Sequence, residues 1–312
     1  MSFQTPITIY EAIENISDGR YLLPAIQREF VWSSNKIEWL FDSIMRGYPI
    51  SSFLFWNVEG ANVNGYRFYS FIREYRERFK THNENANVEG LGNFTCVLDG
   101  QQRLTSLYIG LKGSYAYKTR NKWWYDTENS IPTRRLYLNI TKKLDEDEEE
   151  DGRIYEFSFL EDSITGKHDI YRNRTSWFRV GKILDLRNLS AFNKYLREEG
   201  VDGDEIATEI LSRLQEVIYS ERMINYFLEK EQDLHKALNI FIRINSGGLP
   251  LNFSDLIMSI AIASWEQKDA RKEIHGLVDR VQGYGFSISK DFVFKTYLYL
   301  FSNDIRFKVT NF

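Results

Sequence analysis

The spacing of polar and apolar positions near the N-terminus predicts helical and extended segments in turn. Thr8 and Glu11 have capping-box spacing, and isoleucines follow at intervals of three to four residues, which predicts a short amphipathic helix. Tyr21–Pro24 is expected to be extended. A second helix is predicted to begin at a serine cap, Ser33 or Ser34, because an apolar stripe with helical spacing follows it.

The middle of the chain changes pattern several times. Residues 52–56 are rich in β-forming side chains, whereas residues 66–79 place aromatic side chains at helical spacing, which predicts a helix there. The polar, asparagine-rich stretch at 81–93 predicts a loop. Phe94–Leu98 is predicted to be a strand that leads directly into a helix ending near Leu111. Short aromatic strands are predicted further on, at 135–140 and 154–159.

Helical spacing dominates from about residue 189. Helices are predicted at Leu189–Glu199, Asp204–Ile218, Asp233–Ile244, Ser254–Gln267 and Asp291–Phe301. One strand-like piece, Arg222–Leu228, interrupts them. The whole pattern predicts an α+β fold, with a mixed α/β first domain at residues 1–185 and a mainly helical lobe at residues 186–312.

The composition is that of a folded protein without an extreme charge. Hydrophobic residues make up 43% of the 312 residues and aromatic residues 15%, which excludes global disorder. With a formal net charge of −4, contact with a nucleic acid must use a local patch. The single cysteine, Cys96, excludes intrachain disulfides and cysteine-based metal clusters. The N-terminus lacks signal-peptide features, and the apolar stretch Leu256–Trp265 is too short to span a bilayer, so we expect a cytoplasmic protein without membrane contact.

The first segment with recognisable chemistry is Asp99-Gly100-Gln101-Gln102-Arg103, between two apolar runs. A helix that begins here offers free backbone N–H groups and the positive end of its dipole. Gly100 lets the backbone approach an anion, Arg103 can grip phosphate oxygens, and the two glutamines add neutral donors. Asp99 could cap the helix, hold a metal ion or orient a water molecule. The alternative is a capped helix with a surface arginine, although packing alone rarely places so polar a cluster between apolar runs.

A second segment, residues 23–32, places Gln27 and Arg28 at the mouth of a predicted helix, flanked by Phe30 and Trp32. This arrangement suits base stacking with an edge hydrogen bond, or a phosphate clamp. The alternative interpretation places the two aromatic rings in the core and Arg28 in a salt bridge, and taken alone this segment favours it.

A third segment, residues 241–256, runs from the end of one predicted helix to the cap of the next. Arg243, Asn245 and Ser246 could face a ligand. The alternative is that this segment only ends one helix and begins the next, because glycine, here Gly247 and Gly248, is common at a helix C-terminus.

Together these segments resemble a known family, the domain of unknown function that forms the N-terminal part of GmrSD-type, modification-dependent restriction endonucleases. That family belongs to the ParB/sulfiredoxin-like superfamily. The resemblance covers roughly residues 5–260, in the same order and spacing. The matching motifs are Gln27-Arg28-x-Phe30-x-Trp32, Asp42-Ser43-Ile44, Gly47-Tyr48-Pro49, the DGQQR box at 99–103 with the Leu104-Thr105 that follows, and the Arg-Ile-Asn-Ser-Gly-Gly-x-Pro-Leu…Asp-Leu element at 243–256.

The resemblance implies a ParB/sulfiredoxin-like core and a nucleotide site. The DGQQR box corresponds to the phosphate-contacting segment that binds ATP in sulfiredoxin and CTP in ParB. We therefore expect a nucleoside triphosphate with Mg²⁺ as cofactor. The expected site residues are Asp99 and Arg103 as catalytic groups, Gly100, Gln101, Gln102, Thr105, Gln27 and Arg28 as further phosphate or nucleotide contacts, and Trp32, Arg243, Asn245 and Ser246 as ligand-facing residues.

A nuclease motif is missing from the sequence. Relatives often carry a C-terminal HNH-type nuclease domain, which needs paired histidines and an asparagine. Here the four histidines, His82, His168, His235 and His275, are scattered, and no metal ligand is assigned apart from Asp99 as a candidate for Mg²⁺. The end of the chain carries no terminal signal, which is compatible with a fragment of a longer protein and with a nuclease domain or subunit elsewhere.

Residues 112–143 form a basic, aromatic strip. It has eight Lys or Arg residues against two acidic ones, interleaved with tyrosines and tryptophans. Such a strip could bind a nucleic-acid backbone and stack on bases. The alternative is a β-rich stretch with a polar outer face, which we favour on the sequence alone.

The leading hypothesis is an NTP-binding and NTP-hydrolysing domain that senses foreign DNA or licenses its cleavage. A non-catalytic DNA- or protein-binding module is the alternative, and a nuclease acting directly through the ParB-like site is a third. Because Arg103 is placed on a polar turn, we expect it to contribute little to the stability of the core.

Overall fold

The computed structural model describes residues 2–24, 29–60, 67–144, 152–161, 170–172, 176–233, 236, 240, 254, 257–258, 265 and 268–301, with 170–172 as backbone only. Helices and strands are both abundant in these residues, and the main sheet mixes parallel and antiparallel neighbours. The predicted α+β class is confirmed.

The described strands and helices follow in chain order. The strands are β1 (Ser2–Phe3), β2 (Tyr21–Pro24), β3 (Phe53–Glu59), β4 (Phe68–Tyr69), β5 (Glu74–Arg76), β6 (Asn93–Asp99), β7 (Ser114–Ala116), β8 (Arg134–Asn139), β9 (Phe157–Glu161), β10 (Ile170–Arg172), β11 (Ser176–Arg179) and β12 (Tyr226–Glu229). The helices are α1 (Ile9–Ser17), α2 (Ser34–Met45), α3 (Gln101–Lys112), α4 (Leu189–Glu198), α5 (Glu205–Tyr219), α6 (Ala270–Gly283) and α7 (Lys290–Phe301), with a 3₁₀ helix at Val180–Asp185.

The main sheet has six strands in the order β1-β12-β3-β6-β2-β4. Strand β6 lies inside it, antiparallel to β3 and parallel to β2. A second, antiparallel sheet has the order β10-β11-β8-β9, and β5 pairs with β7 in parallel. Because β6 is paired with a strand on each side, the position of its last residue, Asp99, is held by the sheet.

Successive side chains of a strand point to opposite faces of the sheet, and both faces of the main sheet are buried. Phe55 and Val97 point into a large core that also takes in α1, α2, α3 and α5, whereas Leu54 and Cys96 point into a smaller cluster on the opposite face. The large core runs on through Ile224, and β12 lies in the same sheet as β3. The predicted domain boundary at residue 185 therefore does not coincide with an edge of this core.

Local signals predicted several elements well. Thr8 caps α1, and both hydrogen bonds of the capping box with Glu11 are present. Ser33 caps α2, while Asn188 and Asp204 cap α4 and α5. These caps work because a side-chain oxygen satisfies an N–H group that has no partner inside the helix.

The helix predicted at residues 66–79 is wrong. Instead, Phe68 and Tyr69 pair with β2, and Glu74–Arg76 pairs with β7. The aromatic side chains that mimic helical spacing here also suit strands, and pairing with neighbouring strands decides between the two structures. Helix α6 was not predicted, and the predicted helices 233–244 and 254–267 lie mostly outside the described residues.

Candidate functional site

The DGQQR box forms the predicted strand–turn–helix. Strand β6 ends at Asp99, Gly100 is the N-cap residue with φ +91°, and α3 starts at Gln101. A Cβ on residue 100 would lie 2.1 Å from Cδ1 of Phe53. Glycine is needed here both because the backbone is left-handed and because Phe53 occupies the space. As the N-cap residue, Gly100 makes no side-chain hydrogen bond to the first turn of the helix.

Arg103 turns back from the first turn of α3 towards the loop before β3. Its guanidinium donates to the carbonyl of Ile50 and, over 3.0 Å, to the carbonyl of Ser52. It also pairs with Oδ2 of Asp99 at 3.1 Å and lies 4.4 Å from the ring centre of Phe53. The side chain is only 15% exposed, so Arg103 is not a surface arginine, and we now expect it to contribute to stability.

The loop that Arg103 contacts has an unusual backbone. Ser51 has φ 66°, in the left-handed region that residues other than glycine seldom adopt. Ser51 and Ser52 are both exposed, next to an Asp99 side chain that is 30% exposed. Burial lowers the pKa of Arg103, while the charge of Asp99 opposes this. The guanidinium and carboxylate form a partly open charged pair at the end of the central strand.

Gln102 joins the box to the segment that follows Gln27 and Arg28. Its Oε1 accepts from the backbone N–H of Val31 at 3.0 Å, and its Nε2 donates to the carbonyl of Glu29 at 2.9 Å. The two motifs therefore lie together at Glu29–Val31. Gln27 and Arg28 lie outside the described residues, so their position beside the box stays a prediction.

The remaining predicted site residues differ in how the structure places them. Gln101 and Thr105 are buried in α3. Trp32 is half-buried against the large core, and its carbonyl accepts from the hydroxyl of Tyr115 at 3.1 Å. Arg243, Asn245 and Ser246 lie outside the described residues.

A second polar cluster, which sequence reasoning missed, brings Glu29 together with His82, His275 and Asp279. Nδ1 of His82 contacts Oε1 of Glu29, and Nε2 of His82 lies 3.2 Å from Oδ2 of Asp279. Nε2 of His275 lies 3.6 Å from the same Oε1 of Glu29, and the imidazole ring centres are 4.7 Å apart. The four residues come from three distant segments, since only His275 and Asp279 share a helix, so local spacing could not have revealed the whole cluster.

The cluster alters the ionisation of its members. Burial opposes the charge on Glu29, but its contacts with the histidines and Arg271 outweigh burial, so the pKa of Glu29 is lowered. Burial also opposes the charge on His82, yet the hydrogen bond and charge of Glu29 raise the pKa of His82. For His275 burial prevails, with help from His82 and Arg271, and its pKa falls to about 4.

Only part of the basic strip, residues 112–143, is exposed to solvent. Arg134 is buried, where it pairs with Glu161 at 3.1 Å and lies over the ring of Tyr117. By contrast, the side chain of Trp123 is 77% exposed and that of Tyr125 is 62% exposed. Part of the strip is therefore the β-rich stretch expected from the sequence, and another part is an aromatic tip, Trp123–Tyr125, that faces solvent.

Comparison with known proteins identifies the family of the chain. The family described as GmrSD restriction endonuclease, N-terminal domain, matches residues 9–262. The chain belongs to this family. The resemblance noted from the DGQQR box is thereby confirmed, and the family places the chain in a restriction and phage-defence context.

A curated relative is longer than this chain. Uncharacterized protein MJ0686 of Methanocaldococcus jannaschii is 25% identical over 258 residues, which are 80% of this chain and 40% of that protein. The chain therefore spans less than half the length of that relative. Within the described residues, none of the GmrSD N-terminal domain's helices has the length and apolar character needed to cross a membrane.

Proposed function

We propose that this GmrSD N-terminal domain binds and hydrolyses a nucleoside triphosphate and thereby licenses cleavage of foreign DNA by an associated nuclease. The observation that supports it most is the turn at Asp99-Gly100. There a helix N-terminus that begins at a glycine lies beside a partly exposed carboxylate and an arginine. Such a terminus binds phosphate through backbone N–H groups and its dipole.

The proposed roles follow from this geometry. The first turn of α3 and Arg103 neutralise the phosphates, with Arg28 as a further cation from the adjoining segment. Three of the five guanidinium N–H donors of Arg103 are used in the bonds to Ile50, Ser52 and Asp99, which leaves donors for a phosphate oxygen. Catalysis would be mainly electrostatic.

Asp99 is the candidate ligand for the Mg²⁺ that accompanies the nucleotide. Mg²⁺ prefers carboxylate oxygens and commonly uses one or two of them together with the phosphates. Asp99 fits that requirement because its carboxylate is partly exposed at the helix start. Arg103 holds Asp99 in place through the 3.1 Å ion pair.

The test is a panel of ATP, GTP, CTP and UTP with Mg²⁺, measuring binding by calorimetry and turnover by phosphate release. We expect one nucleotide to bind and be hydrolysed. Asp99→Asn should lower kcat more than it weakens binding, because the amide keeps the side chain's shape but loses its charge. Asp18→Asn removes an exposed aspartate that pairs with Arg20 and should behave as wild type.

Two outcomes would decide against the proposal. If no nucleotide binds to folded protein, the nucleotide site is absent. If one binds but is not turned over, the domain is a passive switch, which is the non-catalytic module considered above. Nicking of DNA by the chain alone, lost in Asp99→Asn, would favour direct nuclease action through this site.

DNA contact is a second candidate function, supported by the exposed aromatic tip of the basic strip. The guanidinium of Arg78 lies 5.7 Å and Nζ of Lys118 lies 5.5 Å from the ring centre of Trp124. Aromatic rings beside cations suit stacking on unpaired bases next to phosphates. Trp123→Ala combined with Tyr125→Ala should weaken binding to single-stranded DNA about tenfold or more. Tyr284→Ala, at an equally exposed tyrosine, is the control.

We also propose that the nuclease belongs to another part of the system. The family description names a restriction endonuclease, whereas this chain carries no HNH motif and spans 40% of the longer relative. Nucleotide turnover in this domain would then control a nuclease domain or subunit. Reconstitution with the cognate nuclease should make cleavage depend on the hydrolysable nucleotide.

A further inference from the structure

We propose that Glu29, His82 and His275 form a binding site for one divalent transition-metal ion of the Zn²⁺ class. The site connects helix α6 to the segment Glu29–Val31, which Gln102 of the DGQQR box contacts. All three residues can offer a ligand atom within 4.8 Å of the others. Two imidazoles and one carboxylate are a common ligand set for zinc that keeps an open position.

One of the distances between the ligand atoms fits a shared ion better than it fits a hydrogen bond. Nε2 of His275 lies 3.6 Å from Oε1 of Glu29, which is beyond hydrogen-bond length. Two ligands placed about 2.1 Å from a tetrahedral ion would be about 3.4 Å apart. An ion beside Oε1 could therefore contact His275 with little movement. His82 and Glu29 are in direct contact through Nδ1 and Oε1, so an ion bound by both would take the place of that contact and the two side chains would have to move apart.

Asp279 has the position of a residue that orients a metal-binding histidine. Its carboxylate lies 3.2 Å from Nε2 of His82, the ring nitrogen that faces away from Glu29. By accepting a hydrogen bond from Nε2–H, Asp279 favours the tautomer in which the lone pair of Nδ1 faces Glu29. Histidines bound to metals usually donate their second nitrogen to such a partner.

The surroundings leave room for a further ligand and keep the ligands in place. The cluster borders a cavity of about 900 Å³ that is also lined by Ser287 and Ser289. Arg271, which stacks on Tyr69 at 4.3 Å, lies 3.8 Å from Glu29 and partly balances the two carboxylates. The carbonyl of Glu29 is fixed by Gln102, so its main chain is already held.

Cys96 and Glu273 do not compete for this role. Cys96, a residue type that zinc favours, is fully buried in the small core on the far face of the sheet. Helix α6 also carries Glu273, an exposed carboxylate at 240° around the helix from Asp279 by the 100° step of an α-helix. That residue provides a matched control on the same helix.

The test is a titration of purified, chelator-treated protein with Zn²⁺ and with Co²⁺, the second followed by its visible absorption. We expect one equivalent of ion to bind per chain, with a Co²⁺ spectrum typical of nitrogen and oxygen ligands, and a higher Tm with Zn²⁺. His275→Gln removes a ligand and should abolish the tight site. Asp279→Asn should weaken affinity about 10- to 100-fold. Glu273→Gln should bind as wild type.

The result that would overturn the proposal is equally concrete. If the folded wild-type chain binds no Zn²⁺ in this titration, the cluster is only an ion-pair network. The same conclusion follows if binding is unchanged in His275→Gln and Asp279→Asn. Far-UV circular dichroism shows that each variant is folded before it is scored. Because the readouts are metal content and spectrum, they are independent of nucleotide turnover.

Discussion

The DGQQR box and the Glu29–His82–His275–Asp279 cluster share the short segment Glu29–Val31, yet they are built in different ways. The box is contiguous in sequence, and its shape comes from one strand end, one glycine and one helix start. The cluster gathers residues from three distant segments, which meet only when α6 packs on the residues around His82. Local backbone geometry determines the first site, and tertiary packing determines the second.

This difference predicts which property a substitution in each site should change. Changes at Gly100, Gln102 and Arg103 should act on stability as well as on the proposed nucleotide site, because all three residues hold neighbouring main chain. Changes in the cluster should act mainly on ligand binding and on the docking of α6. Four substitutions examine this contrast.

The largest expected effect comes from Gly100→Ala. A left-handed backbone costs a residue with a Cβ about 1–2 kcal/mol, and the clash with Phe53 adds about 1–3 kcal/mol. We expect the free energy of unfolding in urea to fall by about 3 kcal/mol. The control is Gly200→Ala, where φ is also positive but no atom lies within 4 Å of the new Cβ. Equal losses in both variants would show that Phe53 does not restrict the turn.

Arg103→Ala should have the next largest effect. It removes hydrogen bonds from a charged donor to the carbonyls of Ile50 and Ser52, and we expect a loss of about 2 kcal/mol in urea unfolding. Arg103→Lys keeps the charge but cannot reproduce the planar fork, so it should recover only part of the loss. Arg20→Ala, at an exposed ion pair, should change stability little. A fully stable Arg103→Ala would return Arg103 to the surface role expected from the sequence.

Gln102→Leu tests the connection between the two sites. It leaves the N–H of Val31 and the carbonyl of Glu29 without the side chain that now binds them, at a cost of about 1–2 kcal/mol. Hydrogen exchange at the Val31 amide should accelerate. Gln215→Leu loses a single hydrogen bond, the one that Nε2 donates to the carbonyl of Leu186 at 2.9 Å, and should cost less. Unchanged exchange at Val31 would mean that other contacts hold the segment.

The sequence predicted the box well because the necessary information is local. A buried strand, a glycine and a run of polar residues before a helix suffice to predict the turn, and Thr8 with Glu11 suffice for the capping box of α1. Helix α6 also had a local signal, since Ile274 and Val278 have helical spacing and both are buried. That signal could have been found, but the surrounding polar residues obscured it.

The remaining features depend on contacts between distant residues. Residues 66–79 form strands because β2 and β7 provide partners, and nothing within the segment indicates these partners. His82 and His275 were judged by their spacing in the sequence, which carries no information about where α6 docks. The inward turn of Arg103 depends on the carbonyls of Ile50 and Ser52, which are likewise remote from it in the sequence.

The smallest effect is expected from Glu38→Gln. Among the described residues, Glu38 is a buried carboxylate without a histidine partner, whereas Glu29 has two, so the substitution tests how the two buried glutamates differ. Burial raises the pKa of Glu38 above its ordinary value of 4.5, although the backbone N–H of Phe159, which donates to it at 3.0 Å, opposes the shift. The folded protein thus keeps this proton at pH values where the unfolded chain has lost it. Stability therefore falls as the pH rises from about 4.5 through the raised pKa.

Glutamine at position 38 stays neutral and can still accept from Phe159, so it should remove that part of the pH dependence. At pH 7 we expect the variant to be as stable as wild type or slightly more stable, and below pH 4.5 the two should converge. Urea unfolding at pH 4, 5.5 and 7 measures both curves. A Glu38→Gln variant that loses stability at pH 7 would show that the ionised carboxylate is stabilised by partners, as Glu29 is by its histidines, and the contrast between the two buried glutamates would fail.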